Sequence, residues 1–336
     1  MEFSTFTAGK DDEERRLDRV IKRLVSSENT QIFKALRKGL IKLNGKKADA
    51  SAKVMQGDEI KIASFLLIDK VADKTDVNIS DNKQNNNIEE AKQFIDKHTI
   101  LKTDDFLIIN KPYDISVQGG NKNLSDIVSA VYGENNKKSS LSFKTGPLHR
   151  LDRKTTGIQV FSQSLEGAKW FTNAIKTHEI KKTYIAIAQG KLERSEKWID
   201  FIDESEDIDK TDKKLFHTVK IEKTPYAKEA ITTAIPLAYG KYWGKDVTLI
   251  EYKIETGRKH QIRAQSSFHG FTLLGDTAYG GEKIEENQSH YLHAYRLQIP
   301  KNNPFGLCEQ IDAFIMTNFE KMLAKLLIKW DNIYII

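Results

Sequence analysis

Asp152 is the residue whose sequence surroundings most strongly suggest chemistry. It lies in the stretch HRLDRKTTG, residues 149–157, next to Arg153 and within two positions of Arg150 and Lys154. These cations favour the ionised form of the carboxylate. An ionised aspartate can act as a nucleophile, a general base or a metal ligand, although a single aspartate is more often structural or a solvated surface residue.

Two other stretches carry groups suited to binding an anion or a base. In ETGRKHQIR, residues 255–263, a glycine precedes a predicted helix that begins near Arg258, Lys259 and His260. Helix N-termini with such side chains bind phosphates well. Tyr184, at the start of a predicted strand, is either a core residue or, in a cleft, a platform on which a base stacks.

Neither a metal ion nor a nucleotide cofactor is expected. The candidate histidines form no H-E-x-x-H motif, and the single cysteine cannot form a C-x-x-C pair. The sequence also lacks a P-loop and a G-x-G-x-x-G motif. The histidines considered are His149, His260, His269 and His293.

The charge is concentrated near the N-terminus. The 336 residues have a net charge of +6, and residues 1–62, with 14 Lys+Arg and 10 Asp+Glu, carry +4 of it. Residues 29–48 contain six basic residues and no acid. This cluster is either a solvated helix face or a nucleic-acid-binding surface. Its members are Lys34, Arg37, Lys38, Lys42, Lys46 and Lys47.

The sequence favours a reducing compartment and no membrane partner. Cys308 is the only cysteine, so that no intrachain disulfide can form. The first residues lack the apolar core of a signal peptide, and the longest apolar run, Ala63–Ile68, is too short to span a bilayer. We therefore expect a cytoplasmic location.

Three regions are predicted: a small domain at 11–68, a polar, Asn/Gln-rich linker at 69–98, and a second domain at 99–336. Elements of the first domain are helices Glu13–Ser26 and Gln31–Lys38, the latter ended by Gly39, strands Leu40–Leu43 and Glu59–Ile62, and a tight turn at Asn44-Gly45.

The second domain alternates β-like stretches with a few helical patterns, which predicts an α+β or mixed α/β fold. The predicted strands are Phe106–Asn110, Ile158–Ser162, Thr183–Ala188, Val219–Glu222, Ala230–Ile235, Val247–Ile254 and Tyr291–Ile299, and the helices are Glu166–Lys176 and Lys259–Phe268. The stretch 193–212, with nine acids and three bases, is predicted to be a surface loop that faces away from any RNA.

Six stretches, taken in order, resemble the RluA/RluC/RluD-type pseudouridine synthases and cover most of residues 99–300. Residues 14–62 are similar to the S4-like RNA-binding domain that often precedes that catalytic domain, and most similar to its form in the RluC branch. The six stretches are INKPYDISVQGG (109–120), LHRLDRKTTG (148–157), KKTYIAIAQG (181–190), ETGRKHQIRAQ (255–265), GFTLLGDTAYGG (270–281) and YLHAYRL (291–297).

The resemblance implies an α+β catalytic domain with a large, bent, mainly antiparallel sheet, flanking helices and an active-site cleft. It implies cofactor-free isomerisation of uridine to pseudouridine. The RluC branch acts on large-subunit ribosomal RNA in bacteria and organelles, so the expected partner is ribosomal RNA. The expected protein is a monomer in the cytoplasm or an organelle matrix.

The resemblance also implies roles for particular residues. Asp152 matches the essential aspartate, Tyr184 the tyrosine that stacks on the target base, and Arg263 the basic partner of the aspartate. Arg150 matches an arginine that contacts RNA beside the flipped nucleotide. Ile262 and Leu274 are expected in the apolar pocket wall. Further RNA contacts are expected at Arg37, Lys38, Lys42, Lys46, Lys47, Arg258, Lys259 and His260.

The match is imperfect, and two other functions stay open. Gln265 stands where the family usually has His, and Thr272 where a Pro is common. One alternative function is a non-catalytic RNA-binding factor in ribosome assembly. The other is an N-glycosidase that uses Asp152 with a second carboxylate such as Asp276. Whether Asp152 attacks the ribose or deprotonates it is also open.

Overall fold

The computed structural model describes residues 2–25, 29–67, 81–120, 122–132, 140–141, 143–203, 218–220, 222–284 and 289–328. The chain divides into two compact units. Unit 1 consists of Met1–Leu107, Leu124–Leu148 and Phe161–Trp170, and unit 2 of Ile108–Asn123, His149–Val160 and Phe171–Ile336.

The described residues form seven α-helices and seventeen strands. The helices are α1 (Leu17–Ile21), α2 (Asn29–Arg37), α3 (Asp81–His98), α4 (Leu124–Tyr132), α5 (Leu165–Lys176), α6 (Gln261–Phe268) and α7 (Thr317–Lys325). The strands are β1 (Phe3–Thr7), β2 (Arg15–Arg16), β3 (Ile41–Leu43), β4 (Lys46–Lys47), β5 (Lys53–Val54), β6 (Glu59–Ala63), β7 (Thr99–Lys102), β8 (Phe106–Lys111), β9 (Gly146–Pro147), β10 (Thr156–Ser162), β11 (Lys181–Gln189), β12 (Glu196–Asp203), β13 (Thr218–Lys220), β14 (Ala227–Tyr242), β15 (Lys245–Ile254), β16 (Leu292–Gln298) and β17 (Gln310–Asp312).

Unit 1 begins with a small module in which two helices pack on a sheet of order β1-β6-β3-β4. Apolar residues of α1 and α2, among them Leu17 and Ile32, are buried in one core. The turn between β3 and β4 has Asn44 at φ 49° and Gly45 at φ 76°, as the tight-turn prediction requires. The helix predicted at Gln31–Lys38 and the strands beside it are confirmed.

The first predicted helix, Glu13–Ser26, was wrong at both ends, because α1 begins at Leu17 and ends at Ile21. Arg15 and Arg16 instead form β2, which pairs with β5 in a separate two-stranded ladder. Glu14 also has a positive φ of 56°, which is incompatible with a continuous helix. Ser26 lies outside the described residues.

Several elements of unit 1 were not predicted, among them β1 and α3. β1, at the N-terminus, pairs antiparallel with β6 and completes one side of the small sheet. α3 lies inside the predicted linker, and its residue Ile95 is buried despite the polar composition of the segment. The division into residues 11–68, 69–98 and 99–336 stays a prediction.

Unit 2 is built on a sheet with the strand order β13-β12-β14-β15-β11-β16-β10-β8, and β17 pairs with β16. Its long central strands pair antiparallel, whereas β10 runs parallel to β16. Each strand predicted from Phe106 onward overlaps an observed strand, and α5 and α6 correspond to the two predicted helices. The α+β class with a large, mainly antiparallel sheet is therefore confirmed.

The acidic stretch 193–212 was wrongly predicted to be a loop over its first part. Residues 196–203 form β12, which pairs with β14. Trp198 and Ile202 alternate with more exposed residues and are buried, so the apolar positions outweigh the acidic composition. Residues 204–212 lie outside the described residues.

Candidate active site

The loop that carries Asp152 is fixed at its C-terminal end by a close backbone contact. Gly157 takes part in the parallel pairing of β10 with β16 and lies opposite Ala294. It has φ 106°, and a Cβ atom there would lie 2.3 Å from the Ala294 carbonyl oxygen. Only glycine fits this position, so the strand following Asp152 has a single defined path.

Lys111 fixes the same loop from the opposite side. Its Nζ donates hydrogen bonds to the carbonyls of Pro112, Ile115 and Arg153 at 2.9–3.0 Å. Burial lowers the pKa of Lys111 to about 7, although the negative charge of Asp152 opposes this shift. Three carbonyl acceptors match the three N–H groups of an ammonium, and one of them belongs to the residue after Asp152.

Arg263, on α6, is the cation that faces Asp152. Its Nη1 lies 3.4 Å from Asp152 Oδ2, while its Nε and Nη2 donate to the two oxygens of Asp276 at 2.7 and 2.9 Å. Burial alone would lower the pKa of Arg263, but the hydrogen bonds and charge of Asp276, with the charge of Asp152, raise it overall. The guanidinium thus stays charged in a nearly dry position.

His260 also faces Asp152. It adopts a left-handed conformation, φ 54°, directly before α6. Its Nε2 lies 3.6 Å from Asp152 Oδ2, and its Nδ1 lies 3.0 Å from the Tyr279 hydroxyl. The Tyr279 ring also lies beneath the Arg263 guanidinium, whose central carbon is 5.0 Å from the ring centre. Asp152 itself keeps 28% of its side chain exposed, so one side of the carboxylate is open to a ligand.

Tyr184 lies at an irregularity in the sheet. The register of β11 against β16 shifts between Thr183 and Tyr184, and such bulges redirect side chains beside functional sites. Burial, together with the negative charge of Asp152, raises the pKa of the Tyr184 hydroxyl well above its usual range. The phenol therefore stays protonated at neutral pH. The structure brings together all three predicted catalytic residues, Asp152, Tyr184 and Arg263.

The other predicted residues of unit 2 are distributed differently. Arg150 and Lys259 are exposed, and the Arg258 Nε donates to the Glu229 carbonyl at 2.8 Å. Ile262 is buried, as is Leu274, which belongs to the large hydrophobic core. Their assignment to RNA contact or to a pocket wall stays a prediction.

The cationic residues of unit 1 form an exposed group. Arg37, Lys38, Lys46 and Lys47 are exposed, and Lys42 is half-buried with its Nζ 5.1 Å from the centre of the Phe3 ring. Lys42 and Lys47 are directly paired across β3 and β4, an arrangement that like charges disfavour in the absence of a binding partner.

Gln265, one of the two departures from the family pattern, does not contact Asp152. It is buried on α6, where its amide nitrogen donates to Asp200 Oδ2 and to the Ala230 carbonyl, and its oxygen accepts from Thr232. It joins α6 to β12 and β14. Thr272, the other departure, accepts a hydrogen bond from Gln189 through its backbone carbonyl.

Three contributors to the site were missed or misassigned from the sequence. Lys111 follows Asn110 in the stretch INKPYDISVQGG, and Asp276 and Tyr279 lie in GFTLLGDTAYGG. Both stretches were recognised as family-like, but a buried lysine or aspartate cannot be identified without knowing its partners. Asp276 was considered only as a second carboxylate of a glycosidase, and in the structure both of its oxygens accept from Arg263.

No described helix is long and apolar enough to cross a membrane. Within the same residues, no group of three or more His, Cys, Asp or Glu side chains is placed to hold a metal ion. The cofactor-free reaction stays a prediction.

Comparison with known families gives two matches. Residues 105–268 match the family described as RNA pseudouridylate synthase, and residues 15–60 match the S4 domain. The first range includes Asp152, Tyr184 and Arg263, and the second includes the five cationic residues predicted to bind RNA in unit 1.

Curated relatives match over nearly the whole chain. Ribosomal large subunit pseudouridine synthase C of Rickettsia conorii is 30% identical over 92% of this chain and 96% of its own length. The protein of the same name from Rickettsia felis is 31% identical over 83% of this chain and 86% of its own. Among solved structures, human RNA pseudouridylate synthase domain containing 4 has a TM-score of 0.58 at 20% identity, covering 73% of this chain and 98% of its own, which supports the fold.

His293 is a buried neutral side chain that makes the site region sensitive to acid. Its Nε2 lies 3.3 Å from the Ala313 carbonyl, so this nitrogen must carry the proton, and its Nδ1 accepts from the Thr156 hydroxyl at 2.8 Å. Burial lowers its pKa to about 4. The folded protein therefore does not take up a proton here between pH 6.5 and about 4, whereas the unfolded chain does.

We expect the free energy of unfolding to fall as the pH is lowered from 6.5 towards 4, with His293 contributing up to about 1.4 kcal/mol per pH unit. His293→Gln should show a shallower pH dependence than the wild type in urea titrations at pH 7.5, 6 and 5. His178→Gln, at an exposed histidine, is the control and should keep the wild-type dependence. Equal dependence in the wild type and His293→Gln would contradict the prediction.

Proposed function

Because this chain belongs to the RNA pseudouridylate synthase family, we propose that the uridines it isomerises to pseudouridine lie in large-subunit ribosomal RNA. Two relatives that match it over most of its length carry the name ribosomal large subunit pseudouridine synthase C. The observation that carries the catalytic proposal is the arrangement at Asp152. Its carboxylate is partly exposed and faces the buried cation Arg263.

In the proposed reaction the target uridine leaves its stack, which costs a few kcal/mol that pocket contacts repay. Asp152 either attacks C1′ or removes a ribose proton, and both routes assist cleavage of the N1–C1′ bond. The uracil rotates and bonds to C1′ through C5, which releases the Asp152 carboxylate in the first route, whereas in the second route Asp152 returns the proton to the ribose. The proton lost from C5 and the proton gained at N1 balance, so no cofactor is required. The charge of Arg263 faces the Asp152 carboxylate while it reacts.

Tyr184 is proposed to stack on the base and to move a proton. Its raised pKa keeps the phenol protonated at rest. Because the same shift makes the phenol a weak acid, it gives its proton to N1 of the uracil only as the C5 proton is released. A phenolate formed in this way would be a strong base, able to accept the C5 proton. Arg263 is unsuited to this task, because a guanidinium does not readily release a proton.

The S4 domain is proposed to hold the RNA. Its cationic side chains are exposed, and one groove in this domain is lined by Arg37, Lys47 and the ring of Phe33. Such a surface suits a phosphate backbone, with an aromatic ring available to a base. Arg150, Arg258 and Lys259 are proposed as RNA contacts of unit 2. A monomer in the cytoplasm or an organelle matrix is part of the same proposal.

The glycosidase alternative is not favoured. A glycosidase of the two-carboxylate type needs a second acid with a free oxygen, and both oxygens of Asp276 accept from Arg263. A binding factor without activity would have no use for a partly exposed carboxylate facing a buried arginine.

Asp152→Asn is expected to abolish turnover while leaving RNA affinity within about threefold, because its charge serves the reaction more than binding. Tritium release from C5-labelled uridine in a ribosomal RNA transcript measures turnover, and filter retention measures binding. Near-normal turnover of this variant would refute the catalytic proposal. Mapping of pseudouridine in ribosomal RNA from cells with and without the gene tests the substrate.

Tyr184→Phe separates stacking from proton transfer. The ring is kept, and with it a stacking contribution of about 1–3 kcal/mol. We expect Phe to bind RNA normally but to lose about 10²–10⁴-fold in the single-turnover rate, whereas Tyr184→Ala should lose both pocket binding and rate. A Phe variant within about threefold of the wild type would leave Tyr184 as a stacking platform only.

Replacing Lys46 and Lys47 by Gln should weaken RNA binding and flatten its dependence on salt. Each lost phosphate contact is expected to reduce the slope of log K against log salt by about 0.7–0.9. The matched control is Lys241→Gln with Lys245→Gln, which removes the same charge from the β14–β15 hairpin, where both lysines pair with acids. Equal slopes in the two double variants would contradict a role of the S4 lysines.

A further inference from the structure

We propose that Asp276 is a positioning residue. It holds Arg263 in the one orientation in which Nη1 faces Asp152 but the guanidinium does not bind both oxygens of Asp152. Asp276 lies in the turn 274–281 of the family-like stretch GFTLLGDTAYGG, and this turn is the frame that supports Arg263. The proposal rests on the catalytic role of Asp152 proposed above. It gives a function to a stretch whose polar residues the proposed reaction does not use.

Asp276 fixes the guanidinium of Arg263 geometrically. Asp276 takes two of the three donor nitrogens of Arg263, Nε and Nη2, at 2.7 and 2.9 Å. A bidentate pair fixes the plane of the guanidinium as well as its distance. Nη1 is then directed at Asp152 Oδ2, 3.4 Å away. The Asp276 and Arg263 side chains are only 2% and 9% exposed, so solvent does not compete for these bonds.

The positive charge of Arg263 is shared unequally between Asp276 and Asp152. One guanidinium serves two carboxylates, and the shorter, paired bonds go to Asp276. Asp152 receives a single longer contact, which leaves the carboxylate free to react. Without Asp276, Arg263 could turn its bidentate edge to Asp152 and occupy both oxygens of the reactive group. Asp276 therefore supports the reaction by keeping the bidentate edge of Arg263 bound to itself and away from Asp152.

The turn around Asp276 depends on two glycines, Gly275 and Gly281. Gly275 has φ 86°, and a Cβ there would lie 2.7 Å from the Ser289 carbonyl oxygen. A Cβ on Gly281 would lie 2.9 Å from both the backbone nitrogen and the oxygen of Asp276, and the Gly281 N–H donates to that oxygen. Neither position accommodates a side chain, so the backbone closes tightly around Asp276.

The same turn carries Tyr279, three residues after Asp276. Its ring lies beneath the Arg263 guanidinium, and its hydroxyl lies 3.0 Å from Nδ1 of His260. Through Asp276 and Tyr279 one short segment thus contacts both groups that face Asp152. This double contact is what a frame for the site requires, and core packing alone would not need it.

The test is Asp276→Asn, which keeps the size of the side chain but replaces one acceptor oxygen by an NH₂ group. We expect the single-turnover rate to fall about 10²-fold, the loss that a misplacement of about 1 Å produces. RNA affinity by filter retention should stay within about threefold. Asp312→Asn is the matched control, because it breaks another bidentate pair, with Arg296 at 2.7 and 2.8 Å, and should leave the rate within about twofold.

A double-mutant cycle separates positioning from general support of the fold. If Asp276 acts through Arg263, then adding Asp276→Asn to Arg263→Lys should cost less than about threefold in rate, although it costs about 10²-fold in the wild type. Losses that multiply in full would overturn the proposal. So would wild-type activity of Asp276→Asn.

If Asp276→Asn fails to fold, as judged by its melting temperature, Asp276→Glu takes its place. This variant keeps the charge but moves the carboxylate by one methylene, and we expect a loss of at least about tenfold in rate with unchanged RNA affinity. Full activity of the Glu variant would overturn the proposal. An active Asp152→Asn would instead overturn the underlying function, so that the two failures are distinguishable.

Discussion

The guanidinium of Arg263 is the group on which the arrangement of this site depends. A buried arginine is costly unless its donors are satisfied and its charge is compensated. Asp276 accepts from two donor nitrogens of Arg263 and compensates its charge at short distance, and the third nitrogen, Nη1, faces Asp152. One buried cation is thus paired tightly with Asp276 and more loosely with Asp152, which keeps 28% of its side chain exposed.

The elements around the site restrain the loop of Asp152 and the helix that carries Arg263. The loop of Asp152 is fixed by Lys111 on one side and by the contact of Gly157 with Ala294 on the other. Arg263 is fixed by its helix, which Gln265 joins to two strands of the sheet. These restraints come from distant parts of the sequence and converge on a few atoms, as a preorganised site requires.

Local signals in the sequence were sufficient for many of the elements. The Asn44-Gly45 turn and the apolar spacing of the strands were predicted correctly, because each depends on residues close together in the chain. The extent of α1 was not, because Arg15 and Arg16 pair with a strand nearly forty residues away. β12 was missed because its acidic side chains concealed the alternation that buries Trp198.

The same division holds for the site. Residue types and family-like stretches indicated Asp152, Tyr184 and Arg263 as candidates, and the structure places Arg263 beside Asp152; their catalytic roles stay a proposal. The partnership of Arg263 with Asp276 was not predicted, since nothing local distinguishes a carboxylate that anchors an arginine from one that reacts. His260, predicted to contact RNA, lies 3.6 Å from Asp152 with 12% of its side chain exposed, and its contact with RNA stays a prediction. Only the three-dimensional arrangement reveals which side of a polar residue is occupied.

The parallel pairing of β10 with β16 has a consequence for the order of events during synthesis. Thr156 and Gly157 contact His293 and Ala294, more than 130 residues later in the chain. The S4 core, in contrast, is built mainly from the first 67 residues. Domains usually fold as they leave the ribosome. The S4 module can therefore fold while the strand that follows the Asp152 loop still lacks its partner β16. A nascent chain would therefore acquire affinity for RNA before it acquires the means to modify it.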